Sequence, residues 1–354
     1  FWKDDTHVRG IYRRTTMEEY TKAQPKWETV LDVDALGKLE SVNWVFKSID
    51  CQYPDNQRCF VSLSRGGADA VEVREFDLTT KDFVPAKDKP FFLKEAKSSL
   101  SWIDKDQAFV GTDFGDGQSM TDSGYPRVVK LWQRGTPLDQ AKTIFSGDKT
   151  SVAVSGWVMF DDKTPLSLVT EAHTFYTATQ YVYQDGKLTK LPIPQDAEIK
   201  GYFQGKLFIE LKSDLATPAA TFGQGAVVYA NVADLIAQKA AFTEFVSPTP
   251  TASIAQLSFS KSAIFVNWLD NVKSKLVRYE QDEKGAWQST PVPFEANGAL
   301  TVMDMERDSD DFFVNYTSFL EPSSLYTVNA KALKPQKIKG MPQQFAADKF
   351  KTEQ

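Results

Sequence analysis

The chain reads as an all-β protein, a seven-bladed β-propeller of four-stranded antiparallel blades, and three observations predict it. Alternating apolar and β-branched runs dominate, while 3.6-residue periodicity surfaces only briefly, from Val232 to Ala241. A short Phe-Val strand recurs at Phe60, Phe109, Phe208, Phe265 and Phe313, spaced by 49, 99, 57 and 48 residues. The double gap calls for a degenerate copy, and PLSLVTEA around Leu168 sits where it is needed. A strand, a polar turn and another strand follow each copy, with landmarks Tyr12, Val73, Val128, Tyr181, Val227, Leu276 and Leu325 at a mean spacing of about 52.

A four-stranded sheet with its turns takes roughly 40 to 50 residues and cannot bury both faces alone, whereas seven stacked radially can. The first copy, residues 1–40, holds the hairpin IYRRTTMEEYTKAQPKWETVLD but no Phe-Val strand. Its blade is therefore expected to be truncated or to draw a strand from elsewhere. Residues 41–95 pair CFVSLS with VREFDLTTKDFV, and 96–148 pair AFVGTD with VVKLWQRGTPLDQAKTIF. Residues 149–195 pair the degenerate strand with QYVYQDGKLTKLPIP, and 196–250 pair LFIELK with VVYANVADLIAQKAAFTEFV. Residues 251–296 pair IFVNWL with KLVRYEQDEKGAWQSTPVP, and 297–345 pair FFVNYT with SLYTVNAKALKPQKI. The Phe-Val strand reads as inner and buried, and the hairpin as the outer pair, closed in several copies by an edge-protecting Pro. All seven copies are expected to form one domain, 1–354. No Trp-Asp dipeptide occurs and Gly66-Gly67 is the one Gly pair, which disfavours the WD40 and kelch types.

Composition narrows the function classes. Lys and Arg total 41 against 47 Asp and Glu, a formal charge of −6 with the signs well mixed, which argues against a nucleic-acid partner. The most apolar stretch, Ala226 to Ala237, is interrupted by Asn231 and Asp234, short of the roughly 20 apolar residues of a membrane span. No membrane partner is expected, and the chain is expected to be soluble. It opens FWKDD, without an initiator Met or a signal-like segment, which reads as a fragment. Cys51 and Cys59 bracket QYPDNQR; they read as two buried thiols or, in an oxidising compartment, as a bridge across a hairpin. The compartment, cytoplasmic or exported, stays open.

The chemistry-bearing residues do not assemble a catalytic centre. There is no G-x-S-x-G elbow, and Ser64 in SLSRGGAD reads as part of a hairpin turn. Only His7 and His173 are available, so a multi-His metal site is excluded and a serine triad would have to use one of them; both read as structural. In GTDFGDGQSMTDSGYPR, from Gly111 to Arg127, Asp113, Asp116 and Asp122 could converge on calcium. The EF-hand spacing fails, however, with Gly124 in place of the twelfth-position Glu, and a long loop is the better reading. Asp308 to Asp311 reads as a solvated turn, and no carboxylate pair suggests glycosidase chemistry. No metal and no cofactor are expected.

The strings FWKDDTHVRGIYRRTT, PKWETVLDVDAL, RCFVSLSRGGADAVEVREFDL, VGTDFGDGQSMTDSGYPR, KLWQRGTPL and FLEPSSLYTV closely resemble the propeller region of bacterial prolyl oligopeptidase-family (S9) serine peptidases. Val8 departs from the family, where Pro often follows the His. The resemblance implies a parent enzyme in which an α/β-hydrolase domain of the same polypeptide carries a Ser-Asp-His triad. The propeller would cap that triad, so that only short proline-containing peptides enter and are cleaved after proline. It implies that this chain lacks the triad and is inactive, since it stops at Phe350 to Gln354, about where the hydrolase portion resumes. It also places the Asp113 to Arg127 loop against the hydrolase, with Asp113, Phe114, Asp116, Tyr125 and Arg127 as interface or substrate-gating contacts. The alternative is a free-standing propeller acting as a protein-interaction platform.

Overall fold

The computed structural model of the chain describes residues 1–303 and 305–352; Glu353 and Gln354, part of the segment where the hydrolase portion was expected to resume, lie outside them. Two compact units result, Phe1–Met159 with Pro165–Gln195, and Phe160–Thr164 with the chain from Asp196 onward. Among the described residues no helix is long and apolar enough to cross a membrane.

In the first unit, β1 (Ile11–Arg14) and β2 (Glu28–Asp32) form a two-stranded antiparallel sheet. The second sheet runs β3 (Trp44–Cys51), β4 (Arg58–Arg65), β5 (Val71–Asp77) and the short β6 (Asp82–Phe83), with β7 (Phe92–Ala96) also paired to β5. The third runs β8 (Ser99–Trp102), β9 (Gln107–Gly111), β10 (Val128–Gln133) and β11 (Lys142–Ser146). The fourth runs β12 (Ala153–Asp161), β13 (Thr164–Ala172), β14 (Ala178–Gln184) and β15 (Lys187–Lys190), its hairpin tip grouping with the second unit.

The second unit begins with β16 (Glu198–Phe203) and β17 (Lys206–Glu210), followed by a small hairpin of β18 (Leu215–Ala216) and β19 (Thr221–Phe222). β20 (Val227–Asn231) and β21 (Thr243–Val246) then complete that sheet. Two further meanders follow: β22 (Ala252–Phe259), β23 (Ile264–Asp270), β24 (Lys273–Gln281), β25 (Trp287–Pro291), and β26 (Gly298–Val302), β27 (Asp311–Ser318), β28 (Ser324–Asn329), β29 (Gln336–Gly340).

The Phe-Val motif falls on the second strand of each complete sheet, and its double hydrophobicity has a geometric cause. Successive strand residues point to opposite faces. In β4, Phe60 packs toward the third sheet with Phe91, Trp102 and Trp132, while Val61 packs the other way with Val30, Leu31 and Trp44. β9 repeats the arrangement, Phe109 facing the fourth sheet and Ala108 and Val110 facing the second. In the second unit Phe265 faces the last sheet, while Ile264 and Val266 face the preceding one. A strand buried on both faces needs consecutive apolar residues, and each such Phe contributes roughly 1.5–3 kcal/mol of burial. The seams are tight. Phe60 lies flat on Trp102 with ring centroids 3.7 Å apart, and a Cβ at Gly201 would stand 2.2 Å from the ring of Phe259.

Several local expectations are refined. Among the described residues the first copy forms the two-stranded β1–β2 sheet, with an isolated antiparallel bridge between Trp2 and Ile11. The outer edge of the second sheet was expected at KDFV, yet β6 holds only two residues and the longer partner of β5 is β7. Helical periodicity from Val232 to Ala241 yields a helix over Val232–Ile236 alone. A helix at Val33–Glu40 had no counterpart in the sequence reading; Asp32 caps it, its side chain accepting from the Ala35 N–H. The structure joins Cys51 and Cys59, a directly opposed pair on β3 and β4, in a disulfide, replacing the two-thiol alternative.

Candidate functional site

In an antiparallel meander the connection leaving the second strand and the one entering the first strand emerge at the same end of the sheet. In the first unit that end carries the loop 112–127 between β9 and β10, the segment 147–152 before β12, and the turn 173–177 between β13 and β14.

The loop is ordered by its own side chains. Asp113 Oδ1 accepts the Gly115 N–H at 2.9 Å, and the Ser119 hydroxyl accepts the Phe114 N–H at 2.9 Å. Asp116 Oδ1 accepts the Gln118 N–H at 2.8 Å, and that bond, helped by the Ser119 hydroxyl, holds the Asp116 carboxyl below the usual carboxylate range. Arg127 donates from Nε to the Gln118 carbonyl and from its backbone N–H to the Ser119 carbonyl, both at 2.9 Å. Phe114 is half-buried against the seam between the second and third sheets, with Lys130 Nζ 3.9 Å from its ring centroid. Tyr125, 39% exposed, has Lys97 Nζ 4.3 Å from its ring.

Asp113, Phe114, Asp116 and Arg127 thus come together in one self-bonded turn system, while Tyr125 stands at the loop's other end beside Lys97. The carboxylates of Asp113 and Asp116 are engaged by loop backbone, and the backbone N–H of Asp122 donates to the Lys149 carbonyl at 2.8 Å. No group of three or more His, Cys, Asp or Glu stands ready for a metal ion among the described residues.

The nucleophile candidates occupy structural positions. Ser64 is buried near the end of β4, its hydroxyl without a hydrogen-bond partner among the described residues. His7 Nδ1 lies 2.9 Å from Asp4 Oδ1 in an exposed turn. His173 lies 3.5 Å from the Ser151 hydroxyl through Nδ1 and 2.8 Å from the Thr179 hydroxyl through Nε2. Ser151 is buried and donates to Glu171 at 2.9 Å, so the carboxylate binds the serine and not the far nitrogen of the histidine. This order differs from that of a serine triad, where the acid orients the imidazole.

One feature of this end escaped the sequence reading. In the turn after His173, Phe175 and Tyr176 are 89% and 86% exposed. In the second unit the corresponding second-to-third-strand turns carry Val272 and Phe319, also well exposed. The available signal was two adjacent aromatics inside a polar turn, HTFYTAT, where a turn needs no apolar residue.

Residues 1–340 match the family described as prolyl oligopeptidase, N-terminal beta-propeller domain. The chain is 35% identical to the uncharacterized peptidase y4nA of Sinorhizobium fredii, over 100% of this chain and 49% of that protein. It is 26% identical to the uncharacterized peptidase RP174 of Rickettsia prowazekii, over 92% of this chain and 47% of that protein. Among solved structures, a post-proline cleaving enzyme from Rickettsia typhi aligns with a TM-score of 0.88 at 25% identity, covering 98% of this chain and 52% of that one. The chain therefore spans about half the length of the relatives it matches. The sheets described above are the blades of a β-propeller, the first of them two-stranded.

Proposed function

The chain belongs to the prolyl oligopeptidase N-terminal β-propeller family, and from that premise we propose that it is the substrate-gating, non-catalytic domain of a serine-type peptidase that cleaves short peptides after proline. Its partner is an α/β-hydrolase domain of the same polypeptide, and its seven repeats form one domain with the boundaries read from the sequence. The observation that carries this reading is the family match over residues 1–340 in a chain about half as long as its peptidase relatives.

Physical chemistry supports the division of labour. Blades packed as tightly as the Phe60–Trp102 seam resist a folded protein, while a flexible peptide needs only a narrow path or a brief opening. The 112–127 loop suits the role of the contact with the hydrolase portion. Its shape is fixed by internal hydrogen bonds before any partner arrives, and its outer surface offers Asp113, Asp116 and Tyr125. Ser151, His7 and His173 are bound up in buried or turn-forming hydrogen bonds, in keeping with a chain inactive by itself.

Intact-mass analysis after incubation with a serine-directed fluorophosphonate tests the reading, with the full-length parent as positive control. The expected result is an adduct on the parent and none on this chain. A stoichiometric adduct on this chain would place an activated serine within residues 1–354 and overturn the non-catalytic assignment.

A further inference from the structure

Four hydrogen bonds clasp the second half of the 112–127 loop to the strand entry beside it. The Asp122 N–H donates to the Lys149 carbonyl at 2.8 Å and the Thr121 hydroxyl to the Val152 carbonyl at 3.0 Å. In return the Gly147 N–H donates to the Arg127 carbonyl at 2.9 Å and the Val154 N–H to the Pro126 carbonyl at 2.7 Å.

That entry segment is in turn held by one buried carboxylate. Glu171 Oε1 accepts the Asp148 N–H at 2.7 Å and the Ser151 hydroxyl at 2.9 Å. Glu171 lies on β13 with Thr179 directly opposite on β14, and His173 follows just past the end of β13. Ser151 gives its single hydroxyl proton to Glu171, so its oxygen can only accept at the His173 Nδ1 contact, while Thr179 Oγ1, 2.8 Å from His173 Nε2, accepts from Gln195 Nε2 at 3.2 Å. The resulting chain is directed: His173 to Ser151 to Glu171. Gly147 makes the approach sterically feasible, since a Cβ there would lie 2.7 Å from Glu171 Oε1 and 2.6 Å from Val154 Cγ2.

His173 also opens the aromatic turn. Its N–H donates to the Thr177 carbonyl at 2.9 Å, and the Thr174 hydroxyl oxygen accepts the Thr177 N–H at 3.0 Å and the Tyr176 N–H at 3.1 Å. The tip carrying Phe175 and Tyr176 is therefore a bonded turn seated on His173.

We propose that Glu171, acting through Ser151 and His173, is a positioning residue that couples the 112–127 loop to the Phe175–Tyr176 turn, so that displacing either loosens the other. A partner that grips the aromatic turn thereby sets the posture of the loop. The consequence for gating rests on the reading of the loop given above; the coupling itself rests on the hydrogen bonds of this chain. By linkage the effect is reciprocal.

Hydrogen exchange on the chain, read by NMR at single amides, tests it. Ser151→Ala removes the middle of the relay and leaves the Glu171 bond to Asp148. It should raise exchange at Asp122 and at His173 together by about three- to tenfold, the factor expected for one lost hydrogen bond, with the β22–β25 sheet unchanged. Thr121→Val opens the clasp from the loop side and should raise exchange at His173, which a purely local role would not do. If Ser151→Ala does not fold, Glu171→Gln keeps the side-chain shape and should produce the same joint rise at smaller amplitude. A rise at Asp122 without one at His173, or the reverse, overturns the proposal. Joint loosening in the chain combined with an unprotected 112–127 loop in the full-length parent would leave the coupling standing and overturn the gating reading.

Discussion

Arg134 closes both Nη groups on the two carboxylate oxygens of Glu75, at 2.8 and 2.9 Å, across the seam between the second and third sheets. The Glu75 side chain is fully buried, and its Oε2 also accepts the Phe91 N–H at 2.9 Å. A charge in that position is tolerable only while paired. Arg58 Nη1 stands 3.7 Å from Glu75 Oε1 and remains when Arg134 is replaced, so Arg134→Met should destabilise the chain by less than the roughly 3–5 kcal/mol of a fully orphaned buried charge. Arg134→Lys should recover only part of the loss, because an ammonium cannot bind both oxygens in parallel. Urea denaturation followed by tryptophan fluorescence measures this. Near-identical midpoints for wild type and Arg134→Met would show that the pair contributes nothing to the seam.

Acid should weaken the second sheet through Glu40. Arg74 donates to it at 2.7 and 2.9 Å and Trp44 Nε1 at 2.8 Å, and the Arg74 bonds hold the Glu40 carboxyl below the usual carboxylate range. A carboxyl depressed on folding contributes stability that is complete above its unfolded pKa of about 4.3 and is lost as pH falls through the lower folded value. Melting temperature should thus fall as pH drops below about 5. Glu40→Gln should flatten that slope; an unchanged slope would assign the acid sensitivity to other carboxyls.

The repeat was legible because a doubly buried strand writes two consecutive apolar residues into the sequence. Phe60, Phe109, Phe208 and Phe265 all fall on such strands, and even the degenerate copy places Leu168 in full burial. The first strands were harder to read. β12 mixes Ser155, Gly156, Trp157 and Met159 with mostly half-buried positions, so no clean period of two survives. The site was legible as a loop, from its glycines and aspartates. Its anchoring was not, because Asp122, Ser151 and Glu171 lie far apart in sequence, and it takes strand pairing inside the fourth sheet to join Ser151 to Glu171 and the meeting of the third and fourth sheets to bring Asp122 to them.

The disulfide should be detectable and stabilising. Cys51 and Cys59 close a short loop at the tip of the β3–β4 hairpin, and the chain-entropy argument assigns such a loop about 2–3 kcal/mol. Alkylation before and after reduction, read by intact mass, should show both cysteines protected until reductant is added. The reduced chain should then unfold at lower urea. Two thiols labelled without reductant would restore the buried-thiol reading.

The aromatic turn makes the last prediction. Phe175 and Tyr176 offer roughly 150–250 Å² each, and at about 25 cal/mol per Å² a surface that covered both would gain several kcal/mol. Left uncovered, they should mediate weak self-association of this chain. The double variant Phe175→Ser, Tyr176→Ser should shift stability by no more than about 0.5 kcal/mol, since neither ring is packed in the core. It should nonetheless lower the concentration-dependent increase in scattering mass of the wild-type chain. If the wild type stays strictly monomeric at high concentration, the turn is not an association surface. If both proteins associate equally, other exposed residues, with Phe319 the first to test, carry the contact.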